Sequence, residues 1–293
     1  MAVIARKLQD NVAGDFFVDA SCIDCGTCRR VAPESFSEGA GGSRVYRQPD
    51  DAAAIARAEM ALVACPVGAI GTATKHDLGA ARAAFPEPIE DEVFFCGWAA
   101  ARSYGAASYL IRRAEGNVLV DSPRFARPLV ERLKALGGVR YMFLSHIDDV
   151  ADHASFAGEF GCTRILHARD LRRGLGAIEQ PIAGDGVIAF APDIQLIPTP
   201  GHTAGSMCLL YRDRFLFTGD HLAAGRDGHG LRAFRDYCWH DWATQIASMR
   251  RLAQFRFAWV LPGHGGRLHL PEDRMRRTLL DCVDWMEGNQ RVA

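Results

Sequence analysis

The sequence has little lysine and no long apolar run. Only Lys7, Lys75 and Lys134 are lysines, so 31 of the 34 basic residues are arginine. No stretch approaches the roughly 20 apolar residues that a membrane span needs, and the N-terminus lacks the apolar segment of a secretory signal peptide. The net charge of −1 excludes a chain-wide field that would attract nucleic acid or anionic lipid. We therefore expect a cytoplasmic protein without a nucleic-acid or membrane partner.

The composition is that of a folded chain that is rich in thiols. Of the 293 residues, 48% are hydrophobic and 24% are charged, which excludes a disordered or low-complexity protein. This length is sufficient for a large core and for two domains. Nine cysteines in a chain expected in a reducing compartment favour metal or redox chemistry over disulfides.

Four of these cysteines form a metal-ligand pattern. Cys22, Cys25 and Cys28 are spaced at i, i+3 and i+6, and Cys65 stands alone before Pro66. A tight loop can point three sulfurs at one centre, and a distant fourth completes the set. Zinc also accepts four thiolates, but zinc ribbons pair two C-x-x-C motifs. The spacing therefore predicts one [4Fe–4S] cluster, and the sequence has no second set of four cysteines.

The same region resembles single-cluster bacterial ferredoxins over residues 12–75, down to the segment A-P-E-S-F at Ala32–Phe36. The resemblance implies a small α+β domain that holds the cluster on these four cysteines. Between the third and the fourth ligand, the pattern predicts a helix over Asp51–Ala64 with Asp50 as its cap.

We predict a domain boundary after this region. A ferredoxin-like domain is expected at 1–82, a linker at 83–92 and a second domain at 93–293. Pro86, Pro88 and the acidic run Glu90–Glu92 predict little secondary structure in the linker.

The last two hundred residues alternate short apolar runs with helical patterns. Strands are predicted at Ser108–Ile111, Asn117–Val120, Tyr141–Leu144, Arg164–Leu166, Ile194–Ile197, Met207–Tyr211, Phe215–Phe217 and Ala258–Leu261. Helices are predicted at Arg127–Leu136, Ala154–Phe160, Trp242–Gln254 and Glu272–Met286. This order indicates a layered sheet sandwich flanked by helices.

Histidine and aspartate follow several of these runs. His146, His202, Asp220 and His264 each come one or two residues after an apolar run, and glycine precedes the last three. Loops held by rigid strands can bring such side chains to one rim. Converging imidazoles and carboxylates predict a metal site.

Residues 93–290 resemble the metallo-β-lactamase fold, an αββα sandwich with one or two metals at the sheet edges. The motifs are S-H-I-D-D-V-A-D-H at 145–153, P-T-P-G-H-T-A-G-S at 198–206, F-T-G-D at 217–220 and L-P-G-H-G at 261–265. Together with the N-terminal region, the resemblance implies an α+β fold of two domains.

The first motif departs from the family pattern H-x-H-x-D-H. Two extra residues separate its ends, and Asp148 stands in place of the second histidine. Asp148 is either a carboxylate ligand or is moved away by the insertion. Asp152 and His153 open a helix, so an alternative to ligation is an N-cap followed by a surface residue.

Carried over by position, the resemblance implies a set of metal ligands. They are His146, Asp148, Asp152, His153, His202, Asp220 and His264. Asp220 would bridge two ions, and His221, directly after it, is a further catalytic candidate that would face the substrate.

The preferred function is a metal-dependent hydrolase that uses metal-bound hydroxide as its nucleophile, with one or two divalent ions (zinc, or iron or manganese). A thioester is the preferred bond, as in the hydroxyacylglutathione hydrolases that the domain resembles. A first alternative is a ferredoxin-coupled oxidoreductase with a non-haem iron site, because hydrolysis moves no electrons. A second is a hydrolase with a structural or redox-sensing cluster. The expected partners are a small-molecule substrate and, in the redox case, an electron-transfer partner. The sequence does not specify an oligomeric state.

One further expectation concerns the boundary. A chain that begins near residue 90 is expected to keep the second metal site, since that site draws no predicted ligand from the first domain.

Overall fold

The computed structural model describes residues 2–225 and 228–289. The chain divides into two compact units. The first unit contains residues 1–141 and 151–162, and the second contains 142–150 and 163–293. Met1 and residues 290–293, at the ends of the predicted domains, lie outside the described residues.

The described residues form nineteen strands and seven α-helices. The strands are β1 Phe16–Val18, β2 Phe36–Gly39, β3 Gly42–Val45, β4 Ile70–Thr72, β5 Glu87–Glu90, β6 Val93–Phe95, β7 Tyr109–Ile111, β8 Val118–Val120, β9 Tyr141–Phe143, β10 Thr163–His167, β11 Gln180–Ile182, β12 Ile188–Ala191, β13 Ile194–Pro198, β14 Met207–Tyr211, β15 Phe215–Gly219, β16 Ala223–Ala224, β17 Leu231–Arg232, β18 Trp259–Pro262 and β19 Leu268–His269. The helices are α1 Thr27–Val31, α2 Ala52–Ala64, α3 Gly79–Ala83, α4 Arg127–Ala135, α5 His153–Phe160, α6 Trp242–Leu252 and α7 Glu272–Gly288.

The N-terminal part of the first unit is built from two short antiparallel pairs and helix α2. β1 pairs with β4, and β2 forms a hairpin with β3. Alanines let α2 pack closely, and Ala58, Ala61 and Ala64 are fully buried. The helix lies where it was predicted, but the predicted cap is wrong. Asp51 accepts the hydrogen bond from the Ala54 N–H at 2.8 Å.

Asp50 is instead engaged at the surface. Its carboxylate lies 3.0 Å from the guanidinium of Arg47. The cap position needs a carboxylate within reach of an N–H three residues ahead. Because Asp50 and Asp51 are consecutive, the sequence does not determine which of them caps the helix. In the structure Asp50 pairs with Arg47 and Asp51 is the cap.

The segment predicted as an unstructured linker contains a strand. β5 pairs antiparallel with β6, with Glu87 opposite Phe95 and Pro88 opposite Phe94. Strands β8, β7, β6 and β5 follow one another in the sheet, which leaves β5 at its edge. An edge strand tolerates proline because one row of its backbone N–H groups has no partner to bond. Pro88 therefore does not prevent pairing.

The second unit is organised around a six-stranded sheet in the order β12, β13, β14, β15, β18, β19. Within that sheet only the β15–β18 pair is parallel. β10 and β11, which also belong to this unit but lie outside that sheet, pair in parallel. Helices α6 and α7 bury Met249, Leu252 and Leu279 against sheet residues such as Leu216 and Val260. This core holds the strand ends from which the candidate site residues project.

The predicted strands and helices of the last two hundred residues are all present, with bounds that differ by at most two residues. Other short strands, including β12 and β19, were not predicted, because their few residues carry little periodic signal. Among the described residues, no helix combines the length and the apolar character that a bilayer span requires.

Candidate metal centre

His146 lies just past the end of β9 and is almost completely buried. Its Nδ1 is 2.9 Å from the Ser145 hydroxyl, which fixes the ring. Its Nε2 has no hydrogen-bond partner and faces Asp220, with Oδ2 at 3.8 Å. Burial lowers the pKa of His146 to about 4. The imidazole is therefore neutral at pH 7, the form that offers a lone pair to a metal.

His202 lies in the loop that follows β13. Its ring is perpendicular to that of His146, with the two centroids 4.7 Å apart. Its buried Nε2 lies 3.5 Å from the Asp148 carboxylate and has no hydrogen-bond partner in the part of the chain that the structure describes. That contact with His202 lowers the pKa of Asp148, a half-exposed side chain. The structure thus places Asp148 beside a predicted ligand.

Asp220 follows β15, and His264 follows β18. Nδ1 of His264 lies 2.8 Å from both carboxylate oxygens of Asp220, and the His264 N–H donates to Oδ1 at 3.1 Å. Burial would raise the pKa of Asp220, but the surrounding histidines, His264 foremost, hold it below its usual range. The carboxylate is therefore ionised.

In the part of the chain that the structure describes, two groups of three residues each have ligand atoms that all lie within 4.8 Å of one another. One group is His146, Asp148 and His202, and the other is His146, Asp149 and Asp220. An unpartnered imidazole nitrogen facing carboxylates is the donor arrangement that a divalent ion completes. Asp149 is the residue that the ligand prediction lacked. Asp148 and Asp149 lie in one 3₁₀ turn, Ile147–Asp149. The two consecutive aspartates were therefore the sequence feature from which Asp149 could have been predicted as a ligand.

Asp152 and His153 lie in the first unit. Asp152 is at the N-terminal end of α5, but its side chain does not cap the helix. Its carboxylate accepts the Phe125 N–H at 2.8 Å and faces Arg102 at 3.4 Å. His153 is buried, which argues against its being a surface residue. The assignment of these two residues as metal ligands stays a prediction.

His221 is completely buried, and neither ring nitrogen has a hydrogen-bond partner. Burial lowers its pKa to about 3, so the ring is neutral. Its backbone carbonyl accepts a hydrogen bond from Gln245 at 3.0 Å, which fixes the chain beside Asp220. A catalytic role for His221 stays a prediction.

Asp170 was not identified from the sequence and connects two site loops. Its carboxylate accepts hydrogen bonds from the Ile147 N–H at 2.9 Å, the Thr203 hydroxyl at 2.7 Å and the Gly205 N–H at 2.8 Å. Ile147 follows His146, and Thr203 follows His202. Buried Asp170 therefore sets the relative position of the two histidine loops.

Glycine is required at two points of the site. Gly219 has φ +51°, and a Cβ there would collide with the Ser145 side chain that orients His146. A Cβ on Gly263 would lie 2.5 Å from Asp149 Oδ2 and 2.9 Å from Asp220 Oδ1. The glycine before Asp220 thus serves the backbone turn, whereas Gly263 leaves room for two carboxylates.

The four predicted cluster cysteines line one pocket in the first unit. Backbone N–H groups point at their sulfurs, with Ser43 N 3.4 Å from Cys22 Sγ and Ala69 N 3.3 Å from Cys65 Sγ. A single tetrahedral zinc with bonds of about 2.3 Å would draw its sulfurs to about 3.8 Å apart. Among the described residues, no three cysteine sulfurs lie within 4.8 Å of one another. This sulfur-to-sulfur separation is wider than one zinc ion requires and fits a group of several metal atoms.

Burial raises the pKa of Cys28 to about 12 and also raises the pKa of Cys65. Buried thiols of this kind deprotonate when a metal supplies compensating charge. The pocket therefore has the donor chemistry of a metal cluster rather than of a free reactive thiol.

The fold and the two donor sets define an α+β protein with a candidate metal centre and a separate candidate thiolate site. Residues 103–264, more than half of the chain, match the model of the metallo-beta-lactamase superfamily, and the chain belongs to that superfamily. Residues 18–72 match the model of the 4Fe-4S single cluster domain of Ferredoxin I. The expected fold class is confirmed.

Curated relatives include two proteins named hydroxyacylglutathione hydrolase. The protein from Rhodospirillum rubrum is 29% identical over 136 residues, which cover 45% of this chain and 53% of the relative. That from Rhizobium meliloti is 27% identical over 164 residues, covering 54% and 62%. The chain thus spans less than two thirds of these relatives. A metallo-beta-lactamase from Pontibacter korlensis is 18% identical with a TM-score of 0.51, covering 69% of this chain and 98% of that one, and it shows the same fold.

Proposed function

We propose that this chain is a cytoplasmic metal-dependent hydrolase that cleaves a thioester and carries a [4Fe–4S] cluster. The observation that carries the proposal is the pair of buried Nε2 atoms of His146 and His202. Among the described residues these atoms have no hydrogen-bond partner, and they face Asp220 and Asp148. The hydroxyacylglutathione hydrolases among the relatives support a thioester as the bond and a small molecule as the substrate.

Some residues of the candidate centre would bind ions, and others hold these ligands in place. His146, His202, Asp148, Asp149 and Asp220 would hold the ions, with Asp152, His153 and His264 as further predicted ligands. When bound, divalent ions lower the pKa of a coordinated water towards neutrality and polarise the substrate carbonyl. His264 bonds Asp220 and keeps that carboxylate aimed into the site. His221 directly follows Asp220, and its buried, neutral ring is the further catalytic candidate.

The first experiment is anaerobic purification followed by analysis of iron, zinc, manganese and labile sulfide. We expect a brown protein whose cluster absorbance is lost in Cys25→Ser. Zinc as the only thiolate-bound metal would contradict the cluster. A cysteine outside the pocket, Cys162, provides the matched control, because Cys162→Ser should leave the absorbance unchanged.

The second experiment measures steady-state hydrolysis of a panel of thioesters, esters and phosphodiesters. Asp220→Ala should abolish turnover, whereas Cys65→Ser should leave the chemical step nearly intact in folded protein. Asp213→Ala, at an exposed aspartate of the same unit, is the control. Absence of turnover of every substrate by fully metallated wild type would contradict the hydrolase.

A ferredoxin-coupled oxidoreductase is the second candidate, and the carboxylate-rich donor set favours it. Two histidines with Asp148, Asp149 and Asp220 make a hard site that suits iron or manganese better than an all-imidazole one. In this case both Asp220→Ala and Cys65→Ser should be inactive, because electrons must pass from the cluster to the site. Hydrolysis indifferent to Cys65→Ser would exclude it and leave the cluster structural or redox-sensing.

A further inference from the structure

Arg124 connects the two stretches that match different family models. It belongs to the stretch 103–264 and donates from Nη2 to the Val63 carbonyl at 3.1 Å, in the stretch 18–72. Both residues belong to the first compact unit. Val63 is two residues before the cluster ligand Cys65.

The contact closes the C-terminal end of helix α2. Backbone carbonyls in the last turn of a helix have no partner within the helix. Arg124 satisfies Val63, and the Ala99 N–H satisfies Ala64 at 3.2 Å. A cation at this end also complements the negative pole of the helix dipole. The ligand Cys65 directly follows this turn.

Arg124 is a partly buried cation without an ion pair. Among the described residues, no carboxylate lies within 4.0 Å of its guanidinium. It lies over the Trp98 ring, 5.3 Å from the centroid, and its N–H donates to the Trp98 carbonyl at 2.8 Å. Burial lowers the pKa of Arg124, while Cys65 and Asp152 favour its charged form. An arginine remains protonated under these conditions.

From this geometry we propose that the positive charge of Arg124 raises the reduction potential of the cluster. The inference rests on the proposed cluster. Reduction adds a negative charge to a group held by thiolates, and a cation in a poorly solvated position stabilises the reduced form. Two backbone hydrogen bonds fix the chain at Arg124. Its own N–H donates to the Trp98 carbonyl at 2.8 Å, and the N–H of the next residue, Phe125, donates to the Asp152 carboxylate at 2.8 Å.

Other cations near the thiolates are engaged differently. Arg29 is neutralised by Asp24 at 2.8 Å, and Arg30 donates to the Cys25 carbonyl at 3.1 Å and to the Gly105 carbonyl at 3.3 Å. Variants at Arg124 leave these contacts unchanged. Differences between such variants therefore report on Arg124 alone.

The test is a spectroelectrochemical titration of the full-length holoprotein, after iron and sulfide analysis has established the cluster. Arg124→Gln should shift the midpoint potential to more negative values, whereas Arg124→Lys, which keeps the charge, should restore most of the wild-type value. Arg47→Gln removes an exposed arginine of the same unit and should not shift the potential. Wild type without iron and sulfide would contradict the cluster itself, a result distinct from failure of the tuning.

A potential that is unchanged in a cluster-loaded Arg124→Gln would overturn the proposal, as would an equal shift in Arg124→Lys or in Arg47→Gln. If Arg124→Gln does not retain the cluster, Arg124→His tests the charge within one folded variant. Its midpoint should fall as the pH rises through the imidazole pKa, by more than the wild type changes. An identical pH profile for the two proteins would overturn the proposal.

Discussion

Three aspartates of the second unit show how surroundings assign different tasks to one residue type. Asp220 is enclosed by histidines, and Asp148 is half exposed beside His202. Asp170 is buried and accepts three hydrogen bonds from two loops. The first two were accessible from sequence motifs. Asp170 was not, because Thr203 is 33 residues away along the chain.

We predict that Asp170→Ala weakens metal binding by about 10- to 100-fold, the range typical for residues that orient metal ligands. The substitution leaves the Thr203 hydroxyl and two backbone N–H groups without their acceptor, so the histidine loops lose their fixed separation. Competition with a chromophoric chelator measures the affinity for Zn²⁺ or Mn²⁺. Asp185→Ala, at an exposed aspartate, is the control. Equal affinity in wild type and Asp170→Ala would show that the loops are positioned without this carboxylate.

His76 provides a pH-dependent contact in the first unit. Its ring nitrogens lie 2.7 Å from Glu59 and 2.7 Å from Asp15. Glu59, and then Asp15, raise the pKa of His76 above 6.5. A raised pKa in the folded state means that the stabilisation is complete below about pH 6.5 and is lost as the pH rises through the folded value.

His76→Gln should therefore destabilise the protein more at pH 6 than at pH 9, by an amount on the order of 1 kcal/mol. Denaturant midpoints of the anaerobic holoprotein measure the difference at each pH. A destabilisation by His76→Gln that is equal at the two pH values would mean that the imidazole is not charged in the folded protein.

At the scale of elements, periodicity located α2 but not the residue that begins it. Asp51→Ala should cost about 1 kcal/mol of stability, the usual loss for an N-cap that accepts a backbone hydrogen bond. Asp50→Ala removes only an exposed ion pair with Arg47 and should cost much less. Chemical denaturation of the two variants compares them directly. A larger effect at Asp50 would restore the original assignment of the cap.

Strand β5 was missed for a different reason. Prolines and acidic residues mark solvent exposure, and an edge strand shares that composition with a linker. What places Glu87–Glu90 in a sheet is the complementary strand Val93–Phe95, a tertiary feature that the local pattern does not contain.

At the scale of the whole molecule, motifs predicted the candidate site residues, whereas the compact units divide the chain at points that no motif marks. Apolar runs indicate strands, and His146, His202 and Asp220 each follow such a run, so these candidates could be predicted from sequence. Packing between distant segments has no such local signature. Arg124 and Val63 are 61 residues apart and meet only in the folded chain.

This packing changes the expectation for a chain that begins near residue 90. Residues 1–141 share one compact unit, so the truncation removes part of that unit. Phe85 is fully buried and packs edge-on against Phe95 at 5.8 Å, and Ala64 accepts the Ala99 N–H. Loss of one buried phenylalanine alone typically costs about 3–5 kcal/mol, a large share of a stability of about 5–15 kcal/mol.

We therefore predict that the truncated chain lacks a cooperative unfolding transition and binds a dye specific for exposed apolar surface. The donor groups of the candidate metal centre lie in the second unit, so retention of that site by the truncated chain stays a prediction. The control is the full-length Cys25→Ser, Cys65→Ser variant, which removes cluster ligands but keeps the packing of Phe85 and Phe95. If that variant unfolds cooperatively while the truncated chain does not, the contacts rather than the cluster support the first unit. Cooperative unfolding of the truncated chain with full metal content would instead establish a boundary near residue 90.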